Sequence, residues 1–216
     1  MRVTILGTGS MARGIAARAL AGGHHVTFVG THIDKASALA GELADQGEVR
    51  SSETAEGDVV VLAVPFTQAP HAVRQHAGEF DGAVLVDVTN PVDLSILEPL
   101  DVAPLRSGAE TIASAAPDGA RVVKAFNTNF AGPLVAGAVD GQPLDVFVAG
   151  DDEDANGTVM RLVRDGGLRA IAAGPLARAR ELEAMGYLHM AIQGALGTGF
   201  ASALKVLAPR TSRATR

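Results

Sequence analysis

The chain has 216 residues, 47% of them hydrophobic and 19% charged, with a mean hydropathy of +0.21, which excludes a disordered chain. The absence of cysteine removes disulfide frameworks, cysteine zinc sites, iron–sulfur clusters and thiol nucleophiles. A net charge of −6, with 4% aromatics and no tryptophan, argues against nucleic acid as a partner, because phosphate binding needs clustered cations and base stacking needs rings.

Met1 leads straight into an apolar run without a basic leader, so a cytoplasmic protein is expected. Strands are predicted at 2–6, 26–29, 58–64, 83–88, 121–124, 145–149 and 168–171, and helices at 10–20, 34–46, 67–78, 108–115 and 151–164. Continuous Val/Ile/Leu runs mark strands covered on both faces. Their alternation with helices gives an α/β class: a Rossmann-type, doubly wound, mostly parallel sheet. Pro175 opens a C-terminal helical extension predicted to run to about Leu207. The weakly charged stretch 188–204 contains His189, Gln193 and three glycines and falls short of a membrane span, so it reads as a buried or interface helix. The expected organisation is a nucleotide-binding domain at 1–174, the extension at 175–208 and a frayed basic tail at 209–216.

The first strand is followed at once by Gly7-Thr8-Gly9-Ser10-Met11-Ala12 and a helix. This is the G-x-G-x-x-G/A pattern in its strand–turn–helix setting. Gly7 permits the turn, Gly9 lets a pyrophosphate approach the backbone, and Ala12 allows close packing of helix on strand. The opening N–H groups of the helix attract the anion. The second strand ends Phe28-Val29-Gly30-Thr31-His32 without the carboxylate that holds the ribose hydroxyls in NAD-specific folds. Thr31, His32, Lys35 and Thr8 can instead receive a 2′-phosphate, which favours NADP. Thr31 and Asp34 can also cap the next helix. Two further strand ends are expected to line the same crevice, Ala63-Val64-Pro65-Phe66 and Asp87-Val88-Thr89-Asn90-Pro91: Pro65 can start a helix or shape a wall along the ribose and nicotinamide, and Asn90 can partner the carboxamide. Turn formation alone also accounts for both segments.

A nucleotide-binding sheet consumes the chain to about residue 174, leaving too little for a second substrate domain. No acid–base set and no metal-ligand spacing stands out, so no catalytic residue and no metal ligand is assigned. His71 and His76 are five apart, and the acidic run 151–154 suits a helix start. Hydride transfer between two stacked cofactors needs no such residues, only orientation and exclusion of water.

The segment Val122-Val123-Lys124-Ala125-Phe126-Asn127-Thr128, together with 7–12, Thr31-His32 and 87–91, resembles the F420-dependent NADP reductase family. The stretches 144–152, 165–176 and 179–183 extend the resemblance to nearly the whole chain. The reductase domain of the STEAP metalloreductases has a similar VKAFNT motif. The resemblance implies a small Rossmann-type homodimer that moves hydride between NADP(H) and the 5-deazaflavin of coenzyme F420, with the deazaflavin near Asn127, Thr128, Asn129 and Phe130. His189 and Met190 would close over the ring, although packing alone also accounts for them, and Lys124 would assist an anionic F420 tail or lie solvated. Two departures stand out: His32 replaces the family's arginine, and Asn127 and Phe130 depart from a His-Asn-Ile-Pro stretch of archaeal members. Two alternatives remain open: an NADPH-dependent flavin or ferric reductase, and a non-catalytic NADP(H)-sensing module.

Overall fold

Apolar runs rich in valine form the middle of one eight-stranded sheet, because a strand buried on both faces favours apolar side chains; the buried Thr4, Asp87 and Lys124 are polar exceptions. The computed structural model describes residues 1–80, 82–93, 95–100 and 106–208. The tail expected at 209–216 lies outside the described residues. In chain order the main elements are β1 Arg2–Leu6, α1 Ser10–Ala21, β2 His25–Val29, α2 Ile33–Leu43, β3 Val49–Ser52, β4 Val59–Leu62, α3 Ala69–Gln75, β5 Val84–Asp87 and α4 Gly108–Ala113. They continue with β6 Arg121–Lys124, α5 Ala131–Ala136, β7 Asp145–Gly150, α6 Glu153–Asp165, β8 Arg169–Gly174, α7 Ala179–Ala191 and α8 Gln193–Leu196.

The sheet runs β8-β7-β6-β5-β4-β1-β2-β3. Every neighbouring pair is parallel except β6 with β7. The chain reverses its direction of travel between β1 and β4, which opens the crevice where a doubly wound sheet binds ligands. One apolar cluster, including Ile5, Ile15, Phe28 and Val159, fills the α1/α2/α6 face, and a second, including Leu62, Phe80, Leu85 and Ile112, fills the α3/α4 face. Each such side chain contributes about 1.5–3 kcal/mol on burial.

The expected fold class is the observed one, and three details differ. The short strand β3 has no counterpart among the predicted elements: Val-Arg-Ser-Ser carries too little apolar signal because it is the sheet edge, half-exposed along its length. The helix α5 is likewise additional, being only six residues around Gly132 and Pro133. The extension is not helical to Leu207. It begins with a 3₁₀ turn at Leu176–Arg178, and α8 ends at Leu196, where Gly197 is left-handed at φ 63°. Phe200 also has positive φ, 64°, and residues 201–208 are non-helical. Among the described residues no helix is long and apolar enough to cross a membrane.

Candidate functional site

The β1–α1 turn requires glycine at its first position. Gly7 has φ 118°, and a Cβ there would lie 2.2 Å from the Ala63 carbonyl oxygen. Its N–H donates to Val29 O at 2.8 Å, tying the turn to the end of β2. Gly9 is the N-cap of α1 and faces open space, and no side chain caps the helix. The opening N–H groups therefore remain available to an anion. Ala12 is buried under the loop, against the sheet.

Next to this turn, α2 opens at His32 without a side-chain cap. The capping expected of Thr31 and Asp34 is not what holds this helix start. Thr31, His32 and Lys35 are all exposed there. Thr8 lies against Gly30, since a Cβ on Gly30 would sit 3.2 Å from its methyl. The loop and the β2 end are thus adjacent.

From the β1–α1 turn a cleft of about 1150 Å³ extends across the carboxyl ends of β4, β5 and β6. Of the residues singled out by sequence, Gly9, Ser10, Met11, Ala63, Val64, Pro65, Asn90, Asn127, Asn129, Phe130 and Met190 line it. Gly7 and Ala12 support it from below, and Thr8, Thr31, His32 and Lys35 sit outside its walls. Thr128 is buried away from the lining, and its carbonyl accepts a hydrogen bond from His189 Nδ1 at 3.1 Å.

What turns the chain into the cleft after β6 is Phe126, a buried non-glycine residue at φ 61°. This conformation costs about 1–2 kcal/mol and aims Asn127–Asn129 back across the sheet edge. Asn127 Nδ2 donates to Leu182 O (2.8 Å) and to Asn90 Oδ1 (2.9 Å), and Asn90 Nδ2 donates to Asn127 O (2.8 Å). Asn129 Nδ2 donates to Asp145 O at 3.0 Å. Carbonyls can only accept, so both amide orientations are fixed, leaving Asn127 Oδ1 and Asn129 Oδ1 without partners. Thr89 Oγ1 is the third such atom. Of six buried unpartnered side-chain atoms among the described residues, these three belong to residues lining the cleft. A buried acceptor left unmade costs about 1–3 kcal/mol, and these three stand together on residues of one cleft. The Asn90 amide, expected to meet the carboxamide, is instead spent on Asn127. Gly186 lets α7 lie on this pair, since a Cβ there would come 2.9 Å from both Asn127 O and Asn90 Oδ1.

Lys124 corrects the expectation made for it. It is fully buried, neither solvated nor available to an anionic tail. Its ammonium donates to Asp87 Oδ2 (2.8 Å), Thr89 O (2.6 Å) and Glu183 Oε1 (2.8 Å), using all three donors. Glu183 also accepts from Gly108 N–H and Ala109 N–H, so one carboxylate joins α7, α4 and β6.

The outer wall is built by the extension. Phe130 stacks on His189 with centroids 4.2 Å apart and meets the edge of Phe200 at 5.0 Å. His189 Nδ1 donates to Thr128 O, and Nε2 lies 2.9 Å from the Ser202 hydroxyl, which itself donates to Gln193 Oε1 at 3.0 Å. Burial lowers the His189 pKa, partly opposed by the Thr128 carbonyl. Gln193 holds the strap by accepting from Thr198 at 2.6 Å. Met190, Gly199, Phe200 and Ala201 line the cleft, whereas His189 stands behind Phe130. Thr89 and Phe66 belong to the strand ends expected to line the crevice, and they do. Phe126, Glu183 and Phe200 are not singled out as site residues by sequence: only a change of backbone direction or a long-range pairing places them here, and neither leaves a local pattern.

Fold and cleft together define a Rossmann-type α/β protein with an open cleft at its sheet's switch point. Residues 2–91 match the model of the family described as NADP oxidoreductase, coenzyme F420-dependent. The chain is similar to the F420-dependent NADP reductase of Methanothermobacter thermautotrophicus, 28% identical over 200 residues and covering 85% of each. It is also 34% identical to Metalloreductase STEAP3 of Rattus norvegicus over 184 residues, 85% of this chain, and spans 36% of that longer protein. A solved structure from Arthrobacter sp. FB24, designated a candidate F420-dependent NADP reductase, superposes with TM-score 0.81 at 29% identity, covering 95% of this chain and 99% of that one.

Proposed function

We propose that this protein transfers hydride between NADP(H) and the deazaflavin coenzyme F420. The observation that carries the reading is the cleft itself. At one end it has uncapped helix N–H groups behind a glycine turn, and at the other three orphaned polar atoms beneath an aromatic wall. The N–H groups of α1 would hold the pyrophosphate, and Thr31, His32 and Lys35 would meet the 2′-phosphate beyond the end of β2. Ala63, Val64 and Pro65 would line the ribose and nicotinamide. Asn127 Oδ1, Asn129 Oδ1 and Thr89 Oγ1 would accept from the N–H groups of a carboxamide or of a pyrimidinedione ring, while Phe130 and Met190 keep water from its face. The bound pair would supply transfer of a hydride, two electrons and one proton, from dihydronicotinamide to deazaflavin, with solvent giving the proton that balances the reduction, while this chain's residues would bind, orient and exclude water.

On this reading residues 1–174 bind the nucleotide and 175–208 complete the acceptor side. A homodimer fits the exposed Leu188 and Leu196 of α7 and α8. Stopped-flow absorbance of F420 mixed with enzyme and NADPH tests the function, and absence of deazaflavin reduction refutes it. A second reading, with a flavin or a ferric complex as acceptor, is favoured by the similarity to STEAP3 and by Asn127 and Phe130 where archaeal reductases differ. The same assay with FAD and FMN in place of F420 separates the two. Tight NADPH binding with no acceptor reduced would leave a sensing module.

A further inference from the structure

The buried ion cluster at the foot of the cleft holds one residue of the cleft wall by both of its backbone groups. Asp87 and Lys124 close the neighbouring parallel strands β5 and β6 in register, at the edge where the crevice opens. Just beyond Asp87, Thr89 donates its N–H to Asp87 Oδ1 (2.8 Å), and its carbonyl accepts from Lys124 Nζ (2.6 Å). Glu183 on α7 takes the third corner. It accepts from the ammonium at 2.8 Å and is itself held by the Gly108 and Ala109 N–H groups, so Lys124 is fixed in place. Thr89 is only 5% exposed and lines the cleft, yet its hydroxyl has no partner. A buried lysine with two carboxylates is a poor source of stability, because desolvation offsets most of the attraction and apolar side chains of similar volume do as well. What the charged cluster supplies, and an apolar one lacks, is a directional hold on the Thr89 backbone.

We infer that the Thr89 hydroxyl is a ligand-contacting group and that Lys124 and Glu183 are positioning residues, which fix it through the Thr89 backbone. This rests on the proposed hydride transfer and adds which side chain donates to the ligand and what holds that side chain in place. Asn127 and Asn129 present oxygens that can only accept, since their amide N–H groups are already spent on Leu182 O, Asn90 Oδ1 and Asp145 O. Among the described residues lining the cleft, Thr89 has the one unpartnered side-chain atom that carries a hydrogen. It therefore suits the carbonyl of a ligand edge on which C=O and N–H stand side by side. Two parts of the proposed ligand pair have such an edge: the nicotinamide carboxamide and the imide of a deazaflavin or flavin ring.

Two variants at position 89 separate binding from packing. Thr89→Val keeps the branched shape and removes the hydroxyl, whereas Thr89→Ser keeps the hydroxyl. NADPH binding to the full chain without acceptor, read by fluorescence titration, reports on the carboxamide. Acceptor KM and kcat at saturating NADPH report on the imide. We expect Thr89→Val to unfold at the same urea concentration as wild type or a higher one, because a buried group without a partner is removed. At least one of the two readouts should weaken about tenfold, and Thr89→Ser should restore it to within about threefold. The readout that moves names the part of the ligand that is met. Glu183→Gln, measured where it is folded, should weaken the same readout. Combined with Thr89→Val it should add no more than about twofold to Thr89→Val alone, because both changes act through one hydroxyl; a merely structural Glu183 would add its whole effect. Thr89→Val matching wild type in both readouts, or full addition of the two changes, overturns the inference. If wild type reduces its acceptor and Thr89→Val does so equally well with equal NADPH affinity, only this inference falls. If wild type reduces no acceptor, the functional reading falls, and this inference falls with it unless Thr89→Val weakens NADPH.

Discussion

Replacing Lys124 by methionine removes the one cation shared by two buried carboxylates and leaves the volume nearly unchanged. In the wild type its ammonium makes three bonds of 2.6–2.8 Å with its side chain wholly out of water. In the variant, Asp87 retains only Thr89 N–H, Glu183 retains Gly108 and Ala109 N–H, and the Thr89 carbonyl loses its donor. Breaking a buried pair from one side costs about 3–5 kcal/mol, because an uncompensated charge stays in a dry interior. For a chain of this size each kcal/mol lowers Tm by ~2–4 °C, so a fall of roughly 6–20 °C is expected. Urea denaturation of the ligand-free protein measures the loss directly. Glu183→Gln should cost less, about 1–3 kcal/mol, since its new amide N–H groups face a backbone donor. The double variant should be milder than the sum, because each change removes the charge the other leaves exposed. A Lys124→Met protein within about 1 kcal/mol of wild type would refute the argument. It would mean that the cluster is wet and that α7 is not tied to the sheet through it.

Gly7→Ala should fail twice over, from φ 118° and from a Cβ 2.2 Å from Ala63 O; fluorescence titration should show NADPH binding lost even where circular dichroism shows residual fold. His32→Arg should tighten NADPH but not NADH binding, by about tenfold, because a guanidinium pairs with a phosphate through two parallel N–H bonds; isothermal titration with the two nucleotides checks it. Burial lowers the His189 pKa, and burial plus the terminal ammonium lowers that of His24 despite Asp165. Both imidazoles therefore take a proton less readily when folded than when unfolded, so stability is full above about pH 6.5 and declines as pH falls below that value, where the unfolded chain binds the proton first. Unfolding midpoints should decline in that window, and less so in His189→Gln. Burial of Asp145 raises its carboxyl, but Arg169, Lys205 and Val206 N–H outweigh this and hold it below the usual range. Its stabilisation is present above about pH 4 and lost as pH falls further, and Asp145→Asn should expose residues 201–208 to limited proteolysis at neutral pH.

The parts of the molecule legible in its sequence are those set by local chemistry. The valine runs of β1, β4 and β5 can only be two-sided interior strands, and the spacing of Gly7, Gly9 and Ala12 admits only a turn that hands a strand to a helix. From these the sheet, its crevice and the uncapped helix start beside it follow. The acceptor side is less legible because it is built by pairings across the chain. Lys124 reads as a strand-end cation until Glu183, 59 residues later, returns on α7 to bury it. Asn90 reads as a ligand contact until Asn127 consumes its amide and leaves its own oxygen orphaned instead. The alanines and leucines of the extension favour a continuous helix, but Gly197, Gly199 and Phe200 all take positive φ. That turn bends the strap back so that Phe200 meets Phe130. A site formed where two distant segments meet has no periodicity of its own, and its chemistry is read from which polar atoms those segments leave without partners.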